Sequence, residues 1–396
     1  MENKRVLIVI PDIQLGGGAQ RIAAEVGSNL DERGHEVTFL TVYDDETKYD
    51  YEGGYTTLDR ERSPLPLSFS FNALRFARKI SKVCKRKEID TVISFMMLGN
   101  LGAVLSKVAF RNKAKIVVSV RNNPMKSDKK SRWQKKMLYR KADKVVALSE
   151  GVEHILRTEF SLDNTTYIHN IQNVAKFEKL ADREIDENHL DIFDEGFVFI
   201  TIGSLTRQKG HWYLLRCFKR ATREVKDVKL VVLGDGVLRK KLESLANDLD
   251  IEERLFLLGT VENVFPYLRG SDSFVFSSLW EGFGNVLTEA LSQDLPVIST
   301  DCIAGPREIL CPELEMDEEV DYPYHGRYGV LTETFEDRMF FKTLEEKPLS
   351  EEEEMFAETM IEIRKDDELR GRYSRGSDRV EDFSIEKIIL EWEEII

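Results

Sequence analysis

The chain is predicted to be an α/β protein of two domains, each built on a parallel sheet. Three observations carry that prediction. Short apolar runs alternate with helix-like runs along the length, which is the pattern of βαβ units. The alternation lapses once, over a polar and acidic stretch at 172–195, and then resumes. The length of 396 residues is enough for two domains of ordinary size, each with its own core.

In the first half, strands are predicted near 6–10, 37–42, 91–95, 116–120 and 145–149, with a weaker one at 166–169. Helical runs cover 20–32, 72–85 and 129–141. The lapse at 172–195, QNVAKFEKLADREIDENHLDIFDE, reads as a linker. That gives a first domain over 1–178 and a second over 190–379, with no support for a third. The second set of strands falls near 197–202, 230–233, 255–258, 274–277 and 297–300. The segment FSIEKIILEWEEII sets Phe383, Ile385, Ile388, Ile389 and Trp392 at the spacing of an amphipathic helix. The four glutamates at 351–354 read as the acidic first turn of another helix.

Composition is that of a globular protein, 42% apolar and 32% charged. No apolar run approaches the roughly 20 residues that span a bilayer, and MENKRVLIVIPD reads as a first strand rather than a secretion signal. Cys84, Cys217, Cys302 and Cys311 form no CxxC pair, and the six histidines show no HxxxH or HExxH, so neither a disulfide framework nor a protein-built metal site is expected. The net charge of −14 hides an asymmetry. Residues 106–144 carry 14 Lys/Arg against two Asp, whereas 311–396 carry 27 Asp/Glu against 11 Lys/Arg.

The segment SLWEGFGNVLTEALSQDLPVIST is the most informative in the chain. Glu281 lies in a Gly-rich turn after an apolar strand, and Glu289 lies eight residues on in a helix-like run. A strand, a turn with exposed backbone N–H groups and a helix start form a ligand site at the carboxyl edge of an open α/β sheet. Ionised carboxylates there suit a ligand rich in hydroxyls. In GSLTRQKG, Arg207 and Lys209 stand just before a helix, where the macrodipole is already positive. That local cost points to an anionic ligand, with Arg able to grip phosphate bidentately and Lys acting as a point charge. Gly16, Gly17 and Gly18 follow the first strand. GGGAQR does not fit G-x-G-x-x-G and the second strand ends without an acidic residue, so a dinucleotide fingerprint is disfavoured, while a plain tight turn stays open.

With GGGAQR, GSLTRQKG, the E-x7-E pair Glu281 and Glu289, and GPREIL in order, the chain resembles the family 4 glycosyltransferases, retaining enzymes of the GT-B fold. The resemblance implies two Rossmann-like domains with parallel sheets facing a cleft, and a C-terminal helix over 380–396 that crosses back to the first domain. It implies that Arg207, Lys209 and Glu281 are catalytic, with the two cations holding the donor diphosphate and Glu281 at the sugar hydroxyls. It puts Gly17 and Gly18 beside the diphosphate and acceptor, Gly203, Gly282, Phe283, Gly284 and Asn285 around the donor, backbone near Thr260 and Val261 at the nucleobase, and Glu289 on the ribose. Glu308 reads equally as structural or as support for the site.

One departure stands out. Where many family members carry a His, this chain reads SVRNNP, like a subset that builds polyisoprenyl-linked glycans. Arg121 and Asn122 are then candidates for acceptor or donor phosphates, with helix capping by Asn122 or Asn123 as the alternative. The basic segments 72–87 and 106–144 read as faces for an anionic membrane surface, with Trp133, Met137 and Leu138 on one side of a helix. A solvated helix face is the other reading, and no nucleic-acid motif accompanies the charge. The expected activity is metal-independent transfer of a hexose or N-acetylhexosamine, from a donor expected to be UDP-linked, to a polyprenyl-diphosphate-linked glycan. It would occur at the cytoplasmic membrane face and form an α-linkage. A soluble acceptor, a nucleotide-sugar epimerase of similar architecture and a silent binding protein are the alternatives.

Overall fold

The computed structural model describes residues 2–13, 18–43, 54–60 and 69–396. The chain divides into two compact units, Met1–Ile171 with Phe383–Ile396, and Gln172–Asp382.

The first unit holds β1 (Arg5–Val9), β2 (Glu36–Tyr43), β3 (Gly54–Arg60), β4 (Thr91–Ser94), β5 (Lys115–Val120), β6 (Lys144–Ala147) and β7 (Thr165–Tyr167). They are parallel, in the order β3-β2-β1-β4-β5-β6-β7. The order reverses between β1 and β4, so the loops after those two strands open the crevice where such sheets take ligands. The second unit repeats the plan with β8 (Phe197–Ile202), β9 (Val228–Leu233), β10 (Leu255–Gly259), β11 (Ser273–Phe276), β12 (Val297–Thr300), β13 (Tyr324–His325) and β14 (Val330–Thr332). Its order is β10-β9-β8-β11-β12-β14-β13, with only β13 antiparallel to its neighbour. Here the reversal falls between β8 and β11.

The helix Ile385–Glu394 completes the first unit, as the resemblance implies. Ile388, Ile389 and Trp392 are buried in one core with Val6, Ile8, Val26 and Phe39. Glu393 anchors the helix end to Arg33 at 2.8 Å and His35 at 3.1 Å. Among the described residues no helix is long and apolar enough to cross a membrane. The four cysteines are buried and unbridged.

The stretch 172–195 is not an open linker. It folds into a helix, Val174–Ala181, and a 3-10 turn, Glu187–Ile192, both grouped with the second unit. Phe177 stacks on Phe265 at 4.6 Å, and Ala181 is buried one turn on. Those apolar positions sit at i and i+4 among charged neighbours, which thins the amphipathic signal.

Candidate functional site

The two motifs GSLTRQKG and SLWEGFG leave β8 and β11, the strands flanking the reversal in the second sheet. Arg207–Lys209 form a 3-10 turn, and Gly210 caps the helix His211–Ala221. Gly210 sits at φ 61, and a Cβ there would lie 2.3 Å from the Ser277 carbonyl, so only glycine lets the two loops approach. They are then laced together. Leu279 N donates to the Gln208 carbonyl at 2.8 Å, Gln208 Nε2 to the Trp280 carbonyl at 3.0 Å, and Ser277 Oγ to the Lys209 carbonyl at 2.8 Å.

That lacing brings Lys209 onto Glu281. Nζ donates to Oε1 at 2.6 Å, with the side chains 15% and 8% exposed. The ammonium also lies 4.9 Å from the centre of the Phe276 ring, and Gly203 packs along its aliphatic stem, where a Cβ would stand 3.1 Å from Cε. Arg207 faces another way. Its guanidinium engages Asp337, through Nε at 3.0 Å and through Nη2 to the Asp337 carbonyl at 2.8 Å. Asp337 comes from 130 positions along the chain, and no sequence signal marked it.

The remaining candidates of this unit lie along the same carboxyl edge. Gly282 is half-buried, Phe283 is buried, and Gly284 at φ 92 caps the short helix Asn285–Leu291. Asn285 accepts from Gln172 Nε2 at 3.3 Å, and Glu289 is half-buried on that helix. Gly234 bridges Gly259 at the ends of β9 and β10, and Thr260 follows exposed, with Val261 half-buried. Asp235 pairs with Arg239 at 3.0 Å and accepts from Gly236 N, as a turn residue does.

The loop after β12 closes over the Gly-rich turn. Glu281 N donates to the Ile303 carbonyl at 3.4 Å. Ala304 at φ 70 and Gly305 at φ 104 carry the backbone past Phe283, whose carbonyl would stand 1.8 Å from a Cβ on Gly305. Glu308 caps its own helix, accepting from Gly305 N at 3.0 Å, which favours the structural reading of that residue. Asp301 opens the segment DCIAGPREIL. It pairs with Arg307 at 2.6 Å and accepts from Tyr322 Oη at 2.7 Å, fixing both ends of the loop.

In the first unit, Gly17 lies outside the described residues. Gly18 opens the helix Gly18–Glu32, and a Cβ there would meet nothing within 4 Å among the described residues. Arg121 is drawn inward. It donates to Ser119 Oγ at 2.7 Å and, through Nη1, to the Ile168 carbonyl and Asn170 Oδ1, both at 3.1 Å. Its guanidinium carbon lies 5.3 Å from the Trp392 ring centre, and Nη2 is buried with no partner among the described residues. Burial pulls its pKa down to about 9, so it stays charged at neutral pH. Asn122 is exposed, whereas Asn123 caps the turn Pro124–Lys126.

On the helix Lys129–Tyr139, Trp133 is 64% and Met137 48% exposed, one turn apart and flanked by Lys129, Arg132 and Lys136. Leu138 is half-buried. Among the described residues no group of three or more His, Cys, Asp or Glu is placed to hold a metal.

Comparison with known proteins agrees with this architecture. Residues 16–175 match the model described as Glycosyltransferase Family 4, and residues 182–315 match Glycosyl transferases group 1. An uncharacterized glycosyltransferase of Methanocaldococcus jannaschii is 41% identical over 375 residues, covering 91% of this chain and 92% of that one. The N-acetylgalactosamine-N,N'-diacetylbacillosaminyl-diphospho-undecaprenol 4-alpha-N-acetylgalactosaminyltransferase of Campylobacter jejuni is 30% identical over 320 residues, 79% of this chain and 77% of its own. The crystal structure of Anabaena HepE with UDP and glucose superposes with a TM-score of 0.73 at 15% identity, covering 99% of both chains.

Proposed function

This chain belongs to the family 4, group 1 glycosyltransferases and has their two-domain GT-B fold, and from that premise we propose a retaining transfer of a hexose or N-acetylhexosamine from a UDP-sugar to a lipid-diphosphate-linked glycan. The observation that carries the donor half is the Lys209–Glu281 pair, enclosed at the strand-order reversal of the second sheet. A cation beside a carboxylate there serves a ligand with anionic and hydroxylic ends. Lys209 and Arg207 take the diphosphate, and Glu281 takes sugar hydroxyls. Gly203, the turn Gly282–Phe283–Gly284–Asn285, Glu289 and the backbone of Thr260 and Val261 complete the donor contacts within the second unit.

No nucleophile pair is assigned. The departing diphosphate helps take the acceptor proton on the face it leaves, and catalysis rests on positioning and on stabilising developing phosphate charge. The acceptor half has separate support: the Campylobacter relative is named for a diphospho-undecaprenol acceptor, and the exposed Trp133 and Met137 amid cations suit an anionic membrane surface. Arg121, enclosed under Trp392, orders the acceptor side more readily than it grips a phosphate, and Asn122 remains the exposed polar candidate beside it.

The deciding experiment incubates the purified protein with a panel of UDP-sugars, with and without a polyprenyl-diphosphate-linked glycan, and reads the anomeric configuration of the product by NMR. An α-linked product formed only with acceptor is expected. A sugar isomer formed from donor alone would make the protein an epimerase, and a β-linked product would remove retention.

A further inference from the structure

Arg207 has a single carboxylate partner among the described residues. Asp337 Oδ1 lies 3.0 Å from Nε and 2.9 Å from Nη2, and Nη2 also donates to the Asp337 carbonyl at 2.8 Å. The side chains are 53% and 43% exposed, and a pair that open contributes little to stability. Its two-point geometry asks for another explanation.

The segment that carries Asp337 has no helix or strand between β14 and Ser350, yet it is firmly held. Tyr213 Oη reaches the carbonyls of Glu336 at 2.8 Å and Arg338 at 3.1 Å, one on each side of Asp337. Its ring stacks on Phe335 at 4.7 Å and meets Phe340 edge-on at 5.2 Å. Burial raises the Tyr213 hydroxyl to about 12, so it keeps the proton it donates. Farther along, the fully buried Arg216 donates to the carbonyls of Lys342, Thr343, Lys347 and Pro348 and pairs with Glu353 at 2.6 Å. Tyr213 and Arg216 lie on the helix His211–Ala221, which starts directly after the turn Arg207–Lys209. One helix therefore begins at the cations and also builds the pedestal that returns a carboxylate to the first of them.

We propose that Asp337 is a positioning residue for Arg207. It fixes the Nε/Nη2 edge of the guanidinium and leaves Nη1, which has no partner among the described residues, for a phosphate oxygen of the donor. The inference rests on the reading of Arg207 as a diphosphate ligand.

The test is steady-state kinetics with the active UDP-sugar, together with calorimetric titration of UDP, on Asp337→Ala, Asp337→Asn, Arg207→Ala and Arg207→Ala/Asp337→Ala. Removing an orienting partner should lower kcat about 10-fold in Asp337→Ala, with a smaller change in KM. Asp337→Asn keeps an oxygen acceptor and should recover most of that loss at an unchanged melting temperature. In the Arg207→Ala background the second change should alter kcat less than about twofold, since neighbours that act through one group are not additive. Equal losses in both backgrounds would overturn the inference. So would tighter UDP binding with faster turnover in Asp337→Ala, which would make Asp337 a blocking counter-ion, or a melting-temperature drop shared by Asp337→Asn. A wild-type protein that neither binds UDP nor transfers sugar would overturn the donor reading first, and this inference with it.

Discussion

Lys209 Nζ stands 2.6 Å from Glu281 Oε1, and the pair joins the loops that leave the two central strands of the second sheet. If it grips the donor, Glu281→Gln should cut turnover by about 10²–10³, the loss seen when one preorganised electrostatic contact is removed. Lys209→Ala should match it, and the double variant should be little worse than either single one, because residues that act as a unit are not additive. Turnover measured on the three proteins checks this, and multiplied losses would separate the two roles.

Arg207 is the more exposed cation, so its removal separates chemistry from folding. Arg207→Ala should lose about 10²–10³ in turnover while its unfolding free energy moves by no more than ~1 kcal/mol. Unchanged turnover would refute the diphosphate role.

His211 gives stability a pH dependence. Burial first, then the charge of Lys209, lowers its pKa from 6.5 to about 3. The folded state holds the neutral ring, so the contribution is fully present above pH 6.5 and is lost progressively as pH falls below it. The slope is about 1.4 kcal/mol per pH unit. Urea unfolding at pH 7 and pH 5 should show the wild type losing about 2 kcal/mol more than His211→Asn. Parallel losses in the two proteins would exclude His211 as the source.

Arg216 and Glu353 are a fully buried ion pair, with four further carbonyls on the guanidinium. Arg216→Met leaves an uncompensated carboxylate and should cost about 3–5 kcal/mol. Arg216→Met/Glu353→Leu should recover part of that loss. Chemical denaturation of both variants tests the pair, and equal destabilisation would assign the cost to packing alone.

The basic face around Trp133 should bind anionic vesicles. Replacing Lys129, Arg132 and Lys136 with Gln should weaken binding by about 1 kcal/mol per charge, with a shallower salt dependence. Trp133→Ala should weaken it at all salt concentrations. Sedimentation with phosphatidylserine vesicles reads both effects, and wild-type protein left in the supernatant would remove the membrane from the account.

Much of this was legible in the sequence because strong local signals coincided. Continuous apolar runs located β1, β8 and β12, and the Gly-rich turns placed Lys209 and Glu281 beside one reversal point. Less legible were elements whose pattern is short or uniform. β14 has three residues and β13 two, too few for any period to show. The helix Met96–Phe110 is apolar nearly all round, and periodicity cannot tell such a run from a buried strand. Asp337 could not be found this way, since its role depends on a fold that closes 130 positions of chain. Arg121 was legible as unusual but not as inward-facing, because its direction is set by Trp392, 271 residues later.

The place of Trp392 in the first unit also bears on the order in which the protein is made. The amino-terminal half emerges from the ribosome first, yet its core lacks Ile388, Ile389 and Trp392 until residue 392 has been synthesised. The second unit, continuous in sequence, can close earlier. A premature stop before residue 385 would therefore leave the wound at the opposite end of the polypeptide, in the half translated first.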